Sequence, residues 1–153
     1  MDIKKICDNE IYSNKNIPIS ISKDILNFAE SGFKEIKTSK KVLELFKSLG
    51  QKKIDTEIAL TGLKTTLDTG REGPNIAVIG ELDGLPVPGH PYENKENGYA
   101  HACGHHAQIG SIFTVFMGLS NKKILNNLCG KITFMAVPAE EFVEIEWRNK
   151  LRE

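Results

Sequence analysis

Apolar positions along the chain repeat with helical spacing in its first third. Ile25, Leu26 and Ala29 share one face of a helix that Ser20 or Ser22 can cap and that runs to about Glu30. Ser31-Gly32 interrupts it. Val42, Leu43, Phe46 and Leu49 follow the i, i+1, i+4, i+7 pattern, which predicts a second helix capped by Thr38 or Ser39 and stopped at Gly50. The polar stretch before them, residues 1–19, reads as a loose or partly helical lead-in, and residues 20–153 as the domain proper.

The period then shortens. Lys53 to Ala59 and Lys64 to Leu67 are strand candidates separated by Thr61-Gly62. The runs Asn75–Leu82 and Lys131–Val137 each hold consecutive apolar residues, which predicts strands covered on both faces. Between them, Gly84 to Ala100 is rich in Pro, Gly and Asn and reads as a long loop. Ile109, Ile112, Phe113, Phe116 and Met117 return to helical spacing from Gln108 on. Pro138 stops the last strand, and Phe142 to Glu153 reads as a charged helix with Glu144/Arg148 and Glu146/Lys150 at i, i+4. Helices alternating with buried strands define an α/β class.

Composition narrows the function. Twenty Lys and Arg balance twenty Asp and Glu, so no basic excess points to nucleic acid. The longest apolar run, about Ile109 to Leu119, falls short of the ~20 residues of a membrane span. The start carries no secretory pattern, so the expected location is the cytoplasm, where the sparse set Cys7, Cys103 and Cys129 is not a disulfide framework.

Three polar clusters follow the core elements. Asp83 ends the 75–82 strand, His101-Ala-Cys-Gly-His-His106 opens the helix after the long loop, and Glu140-Glu141 follows the last strand. All four histidines, His90 included, fall within 17 residues. In α/β sheets ligand sites form beyond the carboxyl ends of strands and at helix N-termini, so one shared site is expected. Cys103 and His105, at i and i+2, converge only across a sharp turn, which Gly104 permits, and the helix N-terminus favours a thiolate at Cys103. Thiolate, imidazole and carboxylate together suit zinc. A small buried Cys beside a surface His and a Cys–His nucleophile pair are the other readings. Glu140-Glu141 can supply one metal ligand and one general base, or simply be two solvated glutamates at a helix start.

Gly80-Glu-Leu-Asp-Gly-Leu-Pro86, His101-Ala-Cys-Gly-His105 and Val137-Pro-Ala-Glu-Glu141, with Glu30-Ser-Gly-Phe-Lys-Glu-Ile-Lys-Thr-Ser39 upstream, resemble the zinc-dependent amidohydrolase/aminoacylase metallopeptidases. That family includes hippurate, indole-acetyl-amino-acid and aminobenzoyl-glutamate hydrolases, the last branch being the most similar. The resemblance implies part of a zinc-peptidase catalytic domain, a mixed sheet flanked by helices, without the family's lid and dimerisation domain. It implies hydrolysis of an amide in an N-acyl amino acid or small dipeptide, with two divalent ions, zinc or manganese. Cys103 would bridge the metals, and His105 and Glu141 would each bind one. Glu140 would be the general base, and Asp83 would sit behind the centre and orient a ligand. His101 matches a motif position, and His106 stands where relatives carry Asp or Asn, so both are expected beside the ligands. Relatives run to about four hundred residues, form homodimers and supply further histidine ligands downstream. The expectation for the 153 residues is therefore an N-terminal fragment, catalytically silent alone, its alternative a non-enzymatic metal-binding or subunit-association remnant. Its partner would be a small-molecule amide, with neither nucleic acid nor membrane.

Overall fold

The computed structural model describes residues 2–151. The N-terminal stretch is more regular than its polarity suggests. Helix α1 spans Ile3–Asn14, capped by the Asp2 carboxylate accepting the Lys5 N–H at 3.1 Å. Helix α2 spans Asn16–Leu26, beginning four residues before Ser20, with Pro18 in its first turn where a missing N–H is harmless. Of the loose or partly helical lead-in expected, the helical alternative holds, and α1 packs along a later helix, α4. Helix α3 spans Ile36–Ser48 and starts ahead of the expected cap. Thr38 lies inside it, its N–H and hydroxyl both donating to Glu30 Oε2 at 2.9 Å.

Strands β1 (Ile54–Ile58), β2 (Gly62–Asp68), β3 (Asn75–Glu81) and β6 (Lys131–Val137) form one sheet in the order β1-β2-β6-β3. Pairing is antiparallel except between β3 and β6, so the sheet is mixed. Two short strands, β4 (Leu85–Pro86) and β5 (Tyr99–Ala100), close the long loop on itself. Asn94 and Asn97 tie that loop to the Ala29 carbonyl at 3.1 and 3.0 Å. Helix α4 covers His105–Leu119, α5 Lys122–Leu125 and α6 Ile145–Lys150.

Helices α2, α3 and α4 cover one face of the sheet. Between them lies an aromatic cluster, Phe46 with Phe113 (4.5 Å between ring centroids) and Phe116 with Phe134 (5.3 Å, edge to face). The expectation of two covered faces for β3 and β6 fails. In β6, Ile132, Phe134 and Ala136 are buried while Thr133 and Met135 on the other face are half-exposed. Strand β3 is at the sheet edge and leaves Ile76 and Ile79 more than half exposed. An uninterrupted apolar run reports burial only where a second layer exists to supply it, and among the described residues all the helices lying on the sheet lie on one side.

Helix α4 lies close against β3 because Gly80 has no side chain. A Cβ there would stand 2.8 Å from Ile112 Cδ1. The charged helix expected over Phe142–Glu153 shrinks to α6, entered through Glu144 at φ +52°; residues 152 and 153 lie outside the described residues. Its expected i, i+4 pairing gives way to longer-range partners, with Glu144 bound to Lys34 at 2.6 Å and to the Tyr99 hydroxyl at 2.6 Å.

Candidate metal centre

Parallel pairing sets Glu81 of β3 level with Val137 of β6, and the Leu82 N–H continues the ladder to the Val137 carbonyl at 2.9 Å. The two strands therefore release their next residues at the same height, and α4 begins beside them. This brings the three sequence clusters together.

At the end of β3, Leu82 turns into the core and is fully buried, so Glu81 and Asp83 on either side of it turn toward His105. Asp83 is fully buried. Its backbone carbonyl lies 2.8 Å from His105 Nδ1, its Oδ1 3.3 Å from the same nitrogen, and its Oδ2 accepts the Glu141 N–H at 3.0 Å. One carboxylate thus holds the residue that opens α4 and the loop after β6.

Gly104 precedes α4 in the left-handed region at φ +101°, the turn that lets Cys103 and His105 face one place. After β6, Ala139 takes φ +56°. Its N–H is held by the buried Glu35 carboxylate at 2.9 Å, and Arg148 of α6 donates to the Ala139 and Glu141 carbonyls. That turn separates the two glutamates. Glu140 stays half-exposed, whereas Glu141 is largely covered; their carboxylates come within 3.7 and 3.6 Å of His105 Nε2.

The donor atoms of Cys103, His105 and Glu141 lie within 4.8 Å of one another, and so do those of Glu81, His105 and Glu140. His101 and His106 adjoin them with ring centroids 5.8 Å apart; both His101 nitrogens and His106 Nδ1 are buried without hydrogen-bond partners. His90 is not part of either group: its Nδ1 accepts the Tyr92 N–H in the long loop. Glu81 and Glu35 lie inside the signature segments but had no role assigned from the sequence. Gln108, whose Nε2 donates to Glu81 Oε2 at 2.7 Å, and Arg148 act through hydrogen bonds that no spacing reveals.

Electrostatics match a site built for a cation. Burial disfavours the charged form of His105, but Asp83 and Glu81 outweigh it and push the pKa up to about 9. Burial raises Asp83, yet its bonds to His105 and the Glu141 N–H hold it below the ordinary carboxylate value. His101 goes the other way: burial, then the neighbouring His106 and His105, push it down to about 4, so it is neutral at physiological pH. Burial also lowers His106. At Cys103 a hydrogen bond to Glu141 and the surrounding carboxylates raise the thiol above its ordinary value, against the direction expected from the helix terminus. Buried, unpartnered Asp83 Oδ1 and Glu141 Oε1, beside sulfur and imidazole donors, fit a borderline-soft divalent ion.

A mixed α/β sheet that gathers sulfur, imidazole and carboxylate donors beyond two parallel strand ends defines the class of metal-dependent hydrolases. Residues 77–145 match the profile of peptidase family M20/M25/M40. The chain is 30% identical over 124 residues to the N-acetyldiaminopimelate deacetylase of Brevibacillus brevis, a match covering 79% of this chain and 32% of that one. It is 29% identical over 126 residues to the N-acetylcysteine deacetylase of Bacillus subtilis, covering 80% and 33%. The crystal structure of the Bacillus subtilis YXEP protein, a dinuclear metal binding peptidase from the M20 family, superposes with a TM-score of 0.74 at 28% identity, covering 87% of this chain and 38% of that one. The profile match, the deacetylase matches and the superposition together support a metal-dependent amidohydrolase family, the chain being similar to peptidase family M20/M25/M40. It spans about a third of the length of the curated relatives it matches.

Proposed function

We propose that these residues serve the hydrolysis of an amide bond in an N-acyl amino acid or small dipeptide, with two divalent ions, zinc or manganese, as cofactors. One observation carries the reading: sulfur, imidazole and carboxylate donors of Cys103, His105 and Glu141 converge within 4.8 Å beside a second, more exposed carboxylate, Glu140. The names of the deacetylase relatives and the dinuclear neighbour support it.

When bound, the ions would polarise the amide carbonyl and make water acidic enough to attack at neutral pH. The rest falls to the chain. Asp83 receives the His105 Nδ1–H and so reserves Nε2 for coordination. Glu141, its backbone anchored through the N–H to Asp83 and through the carbonyl to Arg148, would supply a carboxylate ligand, and Cys103 would supply a sulfur ligand. Glu140, free of such anchors, takes the proton from the attacking water at its carboxylate and returns it to the departing amine. His101 and His106, neutral and covered, shape the wall behind the ligands. Cys103 and Glu140 are exposed, so the site of this chain is open to water. We expect no turnover from the 153 residues alone.

The test is a chimera in which this chain replaces the matching third of the Brevibacillus deacetylase, loaded with zinc or manganese and assayed against a panel of N-acyl amino acids. Hydrolysis is expected, reduced about 10²–10⁴-fold in Glu140→Gln with metal retained, whereas Glu141→Gln should lose metal. A folded chimera that holds two equivalents of metal and cleaves nothing in the panel would sink the amidase reading.

A further inference from the structure

Two turns of the chain take the left-handed region without glycine. Ala59 and Leu60, between β1 and β2, stand at φ +46° and +77°, and Ala139, directly before Glu140, at φ +56°. A side chain in that region is disfavoured about 5–30-fold, so it persists only where its surroundings hold it. One group reaches both turns. Glu35, the residue that leads into α3, is fully buried. Its Oε1 accepts the Ala139 N–H at 2.9 Å, and its Oε2 accepts the hydroxyl of Thr61, which follows Leu60.

Backbone contacts close the same joint. A Cβ on Gly32 would stand 2.8 Å from Ala139 Cα, and one on Gly62 would stand 2.9 Å from Pro138 Cδ. The chain before Glu35 and the chain after Leu60 therefore both press on the two residues that lead into Glu140. Ser39 of α3 adds a tie by donating to the Thr61 carbonyl. Packing alone does not account for a carboxylate here, because burying one costs free energy that an apolar side chain of similar size would not. What an apolar side chain lacks is an acceptor that fixes the direction of the Ala139 N–H. That direction sets the peptide plane from which Ala139 turns the chain, leaving Glu140 half-exposed and Glu141 largely covered.

We propose that Glu35 is a positioning residue for the glutamate pair. By holding Ala139 in its left-handed turn, and bracing that turn on the β1–β2 turn through Thr61, it sets Glu141 as the covered ligand and leaves Glu140 open to water. This rests on the metal-centre reading above. It goes beyond that reading by giving a residue 104 positions upstream of the turn a part in dividing the work of the two glutamates. Glu35 touches no donor atom of the centre; its influence passes through the backbone of Ala139.

The experiment uses the 153-residue chain, each variant checked for folding by circular dichroism. It reads hydrogen exchange at the Glu141 amide by NMR without metal, and zinc affinity by competition with a chromophoric chelator. Glu35→Ala, Glu35→Asp and Glu35→Gln are compared, each alone and combined with Ala139→Gly, with Cys103→Ala as the control for the centre. Glu35→Ala is expected to speed exchange at Glu141 about tenfold or more and to weaken zinc binding about 10–100-fold. Glu35→Asp, one methylene too short to reach the Ala139 N–H, should move both the same way. Glu35→Gln keeps the acceptor and should stay within about threefold of the unaltered chain. Glycine takes a left-handed turn without help, so adding Ala139→Gly to Glu35→Ala should recover about fivefold or more of each loss. If Glu35→Ala does not fold, Glu35→Asp carries the same comparison. Unaltered exchange and zinc affinity in the folded Glu35 variants, with Cys103→Ala impaired, would overturn the assignment and leave the metal centre standing. A loss that Ala139→Gly does not relieve would make Glu35 an ordinary member of the core and overturn the assignment too. No uptake by the unaltered chain at millimolar zinc would overturn the metal-centre reading instead, and the Glu141 amide would still decide the role of Glu35 at the turn.

Discussion

Strands β3 and β6 run side by side in the same direction and each ends in two carboxylates, yet they deliver them differently. Glu81 and Asp83 flank a residue committed to the core, so the pleat alone turns both to one side, and the buried Asp83 becomes a structural hub for His105 and the Glu141 N–H. Glu140 and Glu141 are consecutive, and only the left-handed turn at Ala139, held from outside by Glu35 and Arg148, gives them different exposures. The strand end of β3 is rigid by its own geometry. That of β6 is rigid by borrowed contacts.

The comparison breaks most sharply at Asp83. Asp83→Ala removes a fully buried acceptor and leaves His105 and the Glu141 N–H uncompensated, so a loss of about 3–5 kcal/mol is expected in urea melts. Glu81→Ala, from a partly exposed site, should cost about 0.5–1.5 kcal/mol. Equal losses would mean that the two carboxylates of β3 share one structural role.

A smaller effect tests the hub by pH. His105 is raised above its ordinary value to about 9, so its stabilisation of the metal-free chain is full below about pH 6.5 and fades as pH climbs through 9. The fall should approach about 3 kcal/mol and vanish in His105→Gln. A pH-independent melting curve for the unaltered chain across this window would contradict the ion pairing described for Asp83 and Glu81.

Smallest is the effect at the borrowed support of β6. Burial raises the Glu35 carboxyl, so ionisation burdens the folded chain increasingly as pH rises above the unfolded value. Glu35→Gln keeps an acceptor for Ala139 N–H without the charge. It should gain stability relative to the unaltered chain between pH 4 and 7, within about 1–2 kcal/mol. A loss growing with pH instead would show that the charge itself, not the hydrogen bond, supports the turn.

How much of this was legible in the sequence depends on range. The helix over Val42–Leu49, the strand Lys131–Val137 and the meeting of Asp83, Cys103, His105 and Glu141 follow from periodicity, from Gly104 and from the rule that α/β sites gather at strand ends. The helix over 3–14 did not, because the surface it packs on belongs to α4, some hundred residues away. Burial on both faces of β3 and β6 was inferred from composition, and composition cannot say what lies on the other side. Glu35, Gln108 and Arg148 stayed hidden for a related reason: each matters through hydrogen bonds to residues far along the chain or on another element. The rise of the Cys103 thiol could not be read from the local helix terminus, because the carboxylates that cause it arrive from the ends of β3 and β6.

The bare Cα of Gly80 acts at a distance from any donor atom. A single methyl there would meet Ile112 Cδ1 at 2.8 Å, a side-chain end that can turn aside, and then the Gln108 backbone carbon at 3.3 Å. Gly80→Ala would act as a thin shim between strand and helix, its push falling on the first turn of α4, which also carries His105, without altering the chemistry of any donor.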